Sequence, residues 1–160
     1  MADHKIRTLD EIENALRVKA ISFAQILQAI LVHCNNGTIS SAQEEEAIAR
    51  AKNHTTKLNT HLLKMSRGSN EISFLASPVT GGGVSVGRFQ QLFVLAIEQG
   101  KKTPEEWARF VSEILAAQGQ IIAVGGKPLN SLEEQLVELS KQAHEFALKQ
   151  LPILKALQIA

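Results

Sequence analysis

The residues from Gly83 to Gly87 read Gly-Val-Ser-Val-Gly, the pattern that holds a serine nucleophile on a sharp turn between a strand and a helix. That chemistry needs a buried strand before the serine, and an acid and then a histidine after it. A glycine-rich stretch precedes Ser85, and both aspartates of the chain lie upstream of it, although His144 lies downstream. We therefore expect Ser85 to cap a helix, and we expect the chain not to be an enzyme.

The same segment has features of a phosphate-binding loop. Gly82 and Gly87 have the required separation, but Arg88 and Phe89 stand where such a loop has lysine and a hydroxyl residue. These residues remain consistent with a simpler anion site at Gly82, Gly83 and Arg88. Backbone N–H groups at a helix start and a nearby cation attract anions. The alternative interpretation is a flexible connector.

Metal chemistry finds little support in the spacing of histidine and cysteine. The chain has five histidines and one cysteine, Cys34, and none of them has a zinc-finger or His-Glu-x-x-His arrangement. His54 and His61 are seven residues apart, which separates them by two helical turns. We expect neither a metal ion nor a cofactor.

The basic residues of the middle segment recur at steps of three and four, which places them on one face of a helix. We call this face the basic ridge, and it consists of Arg50, His54, Lys57, His61, Lys64 and Arg67. Residues 50–102 carry eight basic and two acidic side chains, a net charge of +6, whereas residues 1–49 carry −3 and residues 103–160 carry −2. The ridge is either a solvated face or a docking surface for an acidic partner or a polyanion such as nucleic acid.

The elements that must position these residues are helical. Aromatic residues are 4% of the 160 residues and tyrosine is absent, while good helix formers dominate the chain. The composition and the periodicity predict an all-α fold, a single-domain helical bundle of about five helices over residues 1–160. The predicted helices span residues 8–34, 41–67, 85–99, 104–118 and 131–158.

The first two of these helices are expected to form an N-terminal antiparallel hairpin, because the link between them is short. Capping boxes predict their starts, at Thr8 with Glu11 and at Ser41 with Glu44. The predicted seam of the second helix is Ile48, Ala51, Thr55, Leu58, Leu62 and Met65. Residues 69–84 are predicted to be a Gly-rich central loop, and residues 120–129 a short strand or an extended segment.

The first predicted helix becomes apolar around nearly its whole circumference from Ala20 onward. A helix of this kind is either central in the fold or covered by a partner. The predicted apolar interface is formed by Phe23, Leu27, Ile30 and Leu31.

The termini and the apolar runs bear on the cellular compartment. The first twenty residues are charged throughout, and the apolar run at residues 20–32 is shorter than the roughly 20 residues of a membrane span. A lone cysteine suits a reducing environment. We therefore expect a cytoplasmic protein with no membrane span.

These observations predict a non-catalytic helical module for protein–protein interaction: an adaptor, a small chaperone or a self-assembling structural subunit. Its partner would be another protein or a second copy of the chain. The alternative is a small, sequence-tolerant nucleic-acid-binding subunit or coat-like protein that follows the phosphate backbone with the basic ridge.

Overall fold

The computed structural model describes residues 4–160, so the first three residues of the predicted domain 1–160 lie outside it. About 61% of the chain is helical and about 8% is in strands, and the expectation of a purely all-α bundle is therefore wrong. The helices are α1 (Leu9–Leu16), α2 (Phe23–Asn35), α3 (Glu45–Met65), α4 (Arg88–Glu98), α5 (Pro104–Ala117), α6 (Leu132–Glu145) and α7 (Leu151–Ala156). The strands are β1 (Phe74–Ser77), β2 (Gly82–Ser85), β3 (Ala123–Val124) and β4 (Lys127–Pro128).

The predicted helix 8–34 is divided into two. Thr8 and Glu11 form the expected capping box at the start of α1, but a 3₁₀ turn follows, and Ala20 adopts a left-handed conformation with φ of +52°. A second capping box then starts α2, because the Ser22 hydroxyl and the Gln25 side chain each bind the other's backbone N–H. These local hydrogen bonds compete with continuation of the first helix.

The predicted antiparallel hairpin of the two N-terminal helices does not form. Instead, α3 packs against β1 and α4. In α2 the buried side chain is Ile26, and α1 has no buried side chain. We call residues 9–35 the N-terminal arm, since they lie outside the main hydrophobic core.

The predicted central loop contains an antiparallel hairpin in place of irregular chain. Strand β1 pairs with β2 in a register that sets Phe74 opposite Ser85 and Ser77 opposite Gly82. Ser85 therefore ends a strand, and Gly87 is the residue that caps α4. The turn depends on Gly81, whose φ of +70° is one that residues with a Cβ atom rarely adopt, and a Cβ there would also displace the Gln43 side chain.

A buried asparagine joins α3 to this hairpin. Asn59, which is 2% exposed, donates from Nδ2 to the Ala76 carbonyl at 2.8 Å and accepts from the Ala76 N–H at 2.7 Å. The side-chain amide thus takes the place of a neighbouring strand at the edge of β1. Ser77 adds a second tie, because its buried hydroxyl donates to the Leu157 carbonyl at 2.8 Å.

The buried face of α3 differs from the predicted seam. Ile48 is buried as expected, but Leu58 and Met65 are exposed, and Asn59 and Leu63 occupy the buried positions. Ser41 and Glu44 do not form the predicted capping box: α3 begins at Glu45, and Glu44 is an N-cap without a side-chain hydrogen bond. The polar pairing of Asn59 with β1 sets the rotation of the helix, and apolar periodicity contains no information about such a pairing.

The core lies between α4, α5 and α6. Phe146 packs against the Phe93 ring with centroids 5.5 Å apart, and against Trp107 edge to face with centroids 6.1 Å apart. Between α5 and α6, Gly125 and Gly126 both have positive φ, as the tight turn of the β3–β4 hairpin requires. This turn accounts for the second deviation from an all-α fold.

The C-terminal helical segment runs from α6 through a π-helical turn at Phe146–Gln150 into α7. Pro152 lies just after this turn, and its missing N–H and its ring are incompatible with regular α-helical bonding, so a widened turn accommodates it. Across residues 4–160, no helix combines the length and the apolar character that crossing a bilayer would require.

We predict that Asn59→Ala lowers the free energy of unfolding by about 2–4 kcal/mol, because it leaves the N–H and carbonyl of the partly buried Ala76 without partners. Urea denaturation followed by the fluorescence of the buried Trp107 measures the change. Asn53→Ala, on the exposed side of the same helix, is the matched control and should shift stability by less than about 0.5 kcal/mol. Equal stability of the two variants would contradict the role of Asn59.

Candidate interaction surfaces

The basic ridge is a free surface of α3 and of the residues just after it. All six of its side chains are exposed. The ion pairs shown for residues 4–160 join His144 to Glu105 and Lys149 to Glu145, so none of them involves the ridge. The acidic side chains at the two ends of the chain therefore form no ion pair with the ridge in this part of the molecule.

The ridge faces away from the body of the protein. His61 follows the buried Asn59 by two residues, which is roughly 200° around a helix. Lys57 precedes Asn59 by two residues and lies on the same outward side. The ridge therefore points into solvent, opposite the face on which Asn59 binds Ala76 and Leu63 is buried.

Arg88, the cation of the predicted anion site, uses its guanidinium for hydrogen bonds within the protein. Its Nε donates to the Ser66 carbonyl at 2.8 Å, and Nη2 donates to the Arg67 carbonyl at 2.8 Å. Nη1 donates to Gln120 Oε1 at 2.7 Å and Nη2 also reaches Gln118 Oε1 at 3.1 Å. The guanidinium is therefore occupied by the carbonyl groups after α3 and by the end of α5, where a cation complements the helix dipole.

The two glycines predicted for that site lie in a strand and not at the start of α4. Gly82 and Gly83 are exposed residues of β2, paired with Ser77 and Ala76. Ser85 is an exposed residue at the end of the same strand, and β2 belongs to a two-stranded hairpin rather than to a parallel sheet. Within residues 4–160, no group of three or more His, Cys, Asp or Glu side chains is placed to hold a metal ion.

The predicted apolar interface lies on the N-terminal arm and is open to solvent. Phe23 is 46% exposed, Leu27 is 40% exposed and Leu31 is 61% exposed, and Ile30 is partly exposed. Cys34 is exposed and free, two helical turns after Leu27. The structure therefore brings all four predicted residues onto one helix but does not cover them.

The total surface of the chain is large for its mass. The chain exposes 10658 Å², whereas a compact monomer of 17.5 kDa exposes about 7,900 Å². The excess is roughly 2,800 Å², which exceeds the roughly 800 Å² that one partner contributes to a standard interface. The N-terminal arm, which lies outside the main hydrophobic core, contributes to this surface.

A further surface was not predicted from the sequence. Side chains of α6 and of the β3–β4 hairpin line a shallow groove of about 420 Å³. Its lining is Val124, Leu129, Glu133, Glu134, Val137 and Glu138. The exposed Val137 among glutamates was the available signal, but only the fold places the hairpin beside it.

The start of α5 carries two carboxylates with perturbed pKa values. The backbone N–H groups of Lys102 and Thr103 donate to Glu106 and lower its pKa. The pKa of Glu105 is also lowered, first by a hydrogen bond from its own backbone N–H and then by the Thr103 hydroxyl. These bonds stabilise the fold above the ordinary carboxyl pKa, and their contribution is lost as the pH falls through the lowered values.

The comparisons with known proteins identify one relative. The chain is 32% identical over 153 residues to the uncharacterized protein sll1526 of Synechocystis sp. (strain ATCC 27184 / PCC 6803 / Kazusa). The similarity covers 96% of this chain but 29% of that protein, so the chain spans less than a third of the relative. No family model and no solved structure matches the chain.

We predict that Arg88→Lys lowers the free energy of unfolding by about 1–3 kcal/mol, because an ammonium group cannot satisfy the two backbone carbonyls and two amides that the guanidinium fork reaches. Arg109→Lys, at an exposed position of α5, is the matched control. Urea denaturation followed by Trp107 fluorescence measures both variants. An Arg88→Lys protein as stable as the control would show that the guanidinium does not hold α3 and α5 together.

Proposed function

We propose that the chain is a non-catalytic helical module for protein–protein interaction that docks its partner on the N-terminal arm. The observation that carries this proposal is the exposed apolar face of α2 on a chain with roughly 2,800 Å² more surface than a compact monomer of its mass. Apolar patches of more than a few hundred Å² are typical of interaction sites.

The stability of α2 supports the same proposal. Its 13 residues are fewer than, or at the lower limit of, what an isolated helix needs to persist in water. Its capping box supplies local hydrogen bonds, and Ile26 is the side chain that it buries. A partner that covers Phe23, Leu27 and Leu31 would supply the packing that such a helix otherwise lacks.

The covalent capture of whatever contacts α2 tests this function. Leu31→p-benzoylphenylalanine places a photoreactive group on the apolar face, and Glu113→p-benzoylphenylalanine places it on an exposed position of α5. In illuminated cells that produce the protein, we expect protein adducts from position 31 at several times the yield from position 113. Denaturing gels and mass spectrometry measure yield and identity. Equal yields from both positions would contradict a docking role of the arm.

A second candidate function rests on the basic ridge. Six exposed side chains without an acidic partner among residues 4–160 suit a phosphate backbone, and the scarcity of aromatic residues favours binding that does not depend on base sequence. We propose sequence-tolerant nucleic-acid binding as this alternative.

Charge reversal on the ridge tests the alternative. Lys57→Glu with Lys64→Glu should weaken binding to a DNA duplex at least tenfold and reduce the slope of log K against log salt by about 1.8, since two phosphate contacts are lost. Fluorescence anisotropy at several salt concentrations measures both quantities. Lys127→Glu with Lys155→Glu changes the net charge equally at exposed positions off the ridge. Equal effects of the two double variants would exclude the ridge as the binding surface.

A further inference from the structure

We infer that the partner of the arm is a second copy of this chain, and that the apolar stripe of α2 pairs with the same stripe of that copy. The stripe consists of Phe23, Leu27, Ile30, Leu31 and Cys34. The inference rests on the proposed function and names its partner. In such a pair, one patch meets its own equivalent across a two-fold axis, which is the commonest arrangement in homodimers.

The spacing of the stripe fits helix pairing. Leu27, Ile30 and Cys34 follow one another at steps of three and four, which is the repeat by which two helices pack along a common seam. The helix is roughly 20 Å long, so the stripe runs along most of its length. Ile26, which is buried in its own chain, lies one turn from Phe23 and from Ile30, so the stripe borders the inner face, and Leu27 and Leu31 lie farther around the helix.

The charges near the stripe favour a second copy. Residues 20–43 contain no Asp, Glu, Lys or Arg. Two identical helices therefore meet here without repulsion between like charges, whereas two copies of the basic ridge would repel one another. A strongly charged partner would find no group on α2 with which to form an ion pair.

The surface area agrees with a dimer. Stable homodimers bury about 2,000 Å² or more in total, which is about 1,000 Å² on each copy. The excess surface of the whole chain, roughly 2,800 Å², exceeds the area that one copy contributes to such a dimer.

Sedimentation equilibrium of the purified chain tests the pairing. We expect a mass of about 35 kDa, twice the 17.5 kDa of one copy. Leu27→Glu should raise the dimer dissociation constant at least 100-fold, because two carboxylates would face each other in an apolar seam. Ala29→Glu adds the same charge at an exposed position on the far side of α2 and should leave the dimer intact. Leu31→Glu is a second stripe variant, and circular dichroism shows that each variant is folded.

Hydrogen exchange locates the contact independently. Amides of α2 should exchange more slowly at 200 µM than at 2 µM protein, and Leu27→Glu should abolish this dependence while amides of α5 show none. A wild-type chain that is monomeric at 200 µM overturns the second-copy inference, as does a dimer that tolerates both stripe variants. Photo-adducts from position 31 with a different protein, from a monomeric chain, would retain the proposed function and reject this partner. A monomer without such adducts would reject both.

Discussion

The pairing of Asn59 with the backbone of Ala76 determines how the surfaces of this protein are arranged. One buried amide satisfies both the N–H and the carbonyl at the outer edge of β1. If α3 rotated about its axis, Asn59 would lose both hydrogen bonds. The polar groups left without partners would make that rotation costly. The rotation in turn directs the basic ridge into solvent and leaves Leu58 and Met65 exposed.

Arg88 carries a charge that the sequence pattern assigns to anion binding and that the structure uses inside the fold. The sequence places it after glycines at a helix start, where an anion would be attracted. In the structure its guanidinium instead binds the carbonyl groups of Ser66 and Arg67 and the amides of Gln118 and Gln120. One of the eight basic residues in the middle segment thus stabilises the fold, and the ridge keeps the charge that faces outward.

The N-terminal arm lies outside the main hydrophobic core. Two capping boxes start its helices, and each uses side chains only three residues apart. Such short-range bonds form a helix without specifying what it packs against. The arm therefore combines a defined helix with an exposed apolar face, and this combination supports both the interaction function and the choice of a second copy as partner.

The helix starts of the N-terminal arm show which features of the fold could be predicted from the sequence and which could not. Cap chemistry marked the start of α1 at Thr8, because Thr8 and Glu11 are only three residues apart in the chain. The capping box of Ser22 with Gln25 was equally local, but the continuous apolar pattern across it favoured a single helix.

The sequence by itself determined the helical character, the exposed basic face and the apolar stripe, since each follows from residue type and spacing along one element. The tertiary structure alone decided that residues 69–84 form a hairpin, that α3 buries Asn59 and that Arg88 is occupied. The hairpin pairs residues 5 to 11 positions apart, and the hydrogen bonds of Asn59 and Arg88 join residues 17 to 32 positions apart. Local patterns contain no record of such partners, because the partners become neighbours only when the chain has folded.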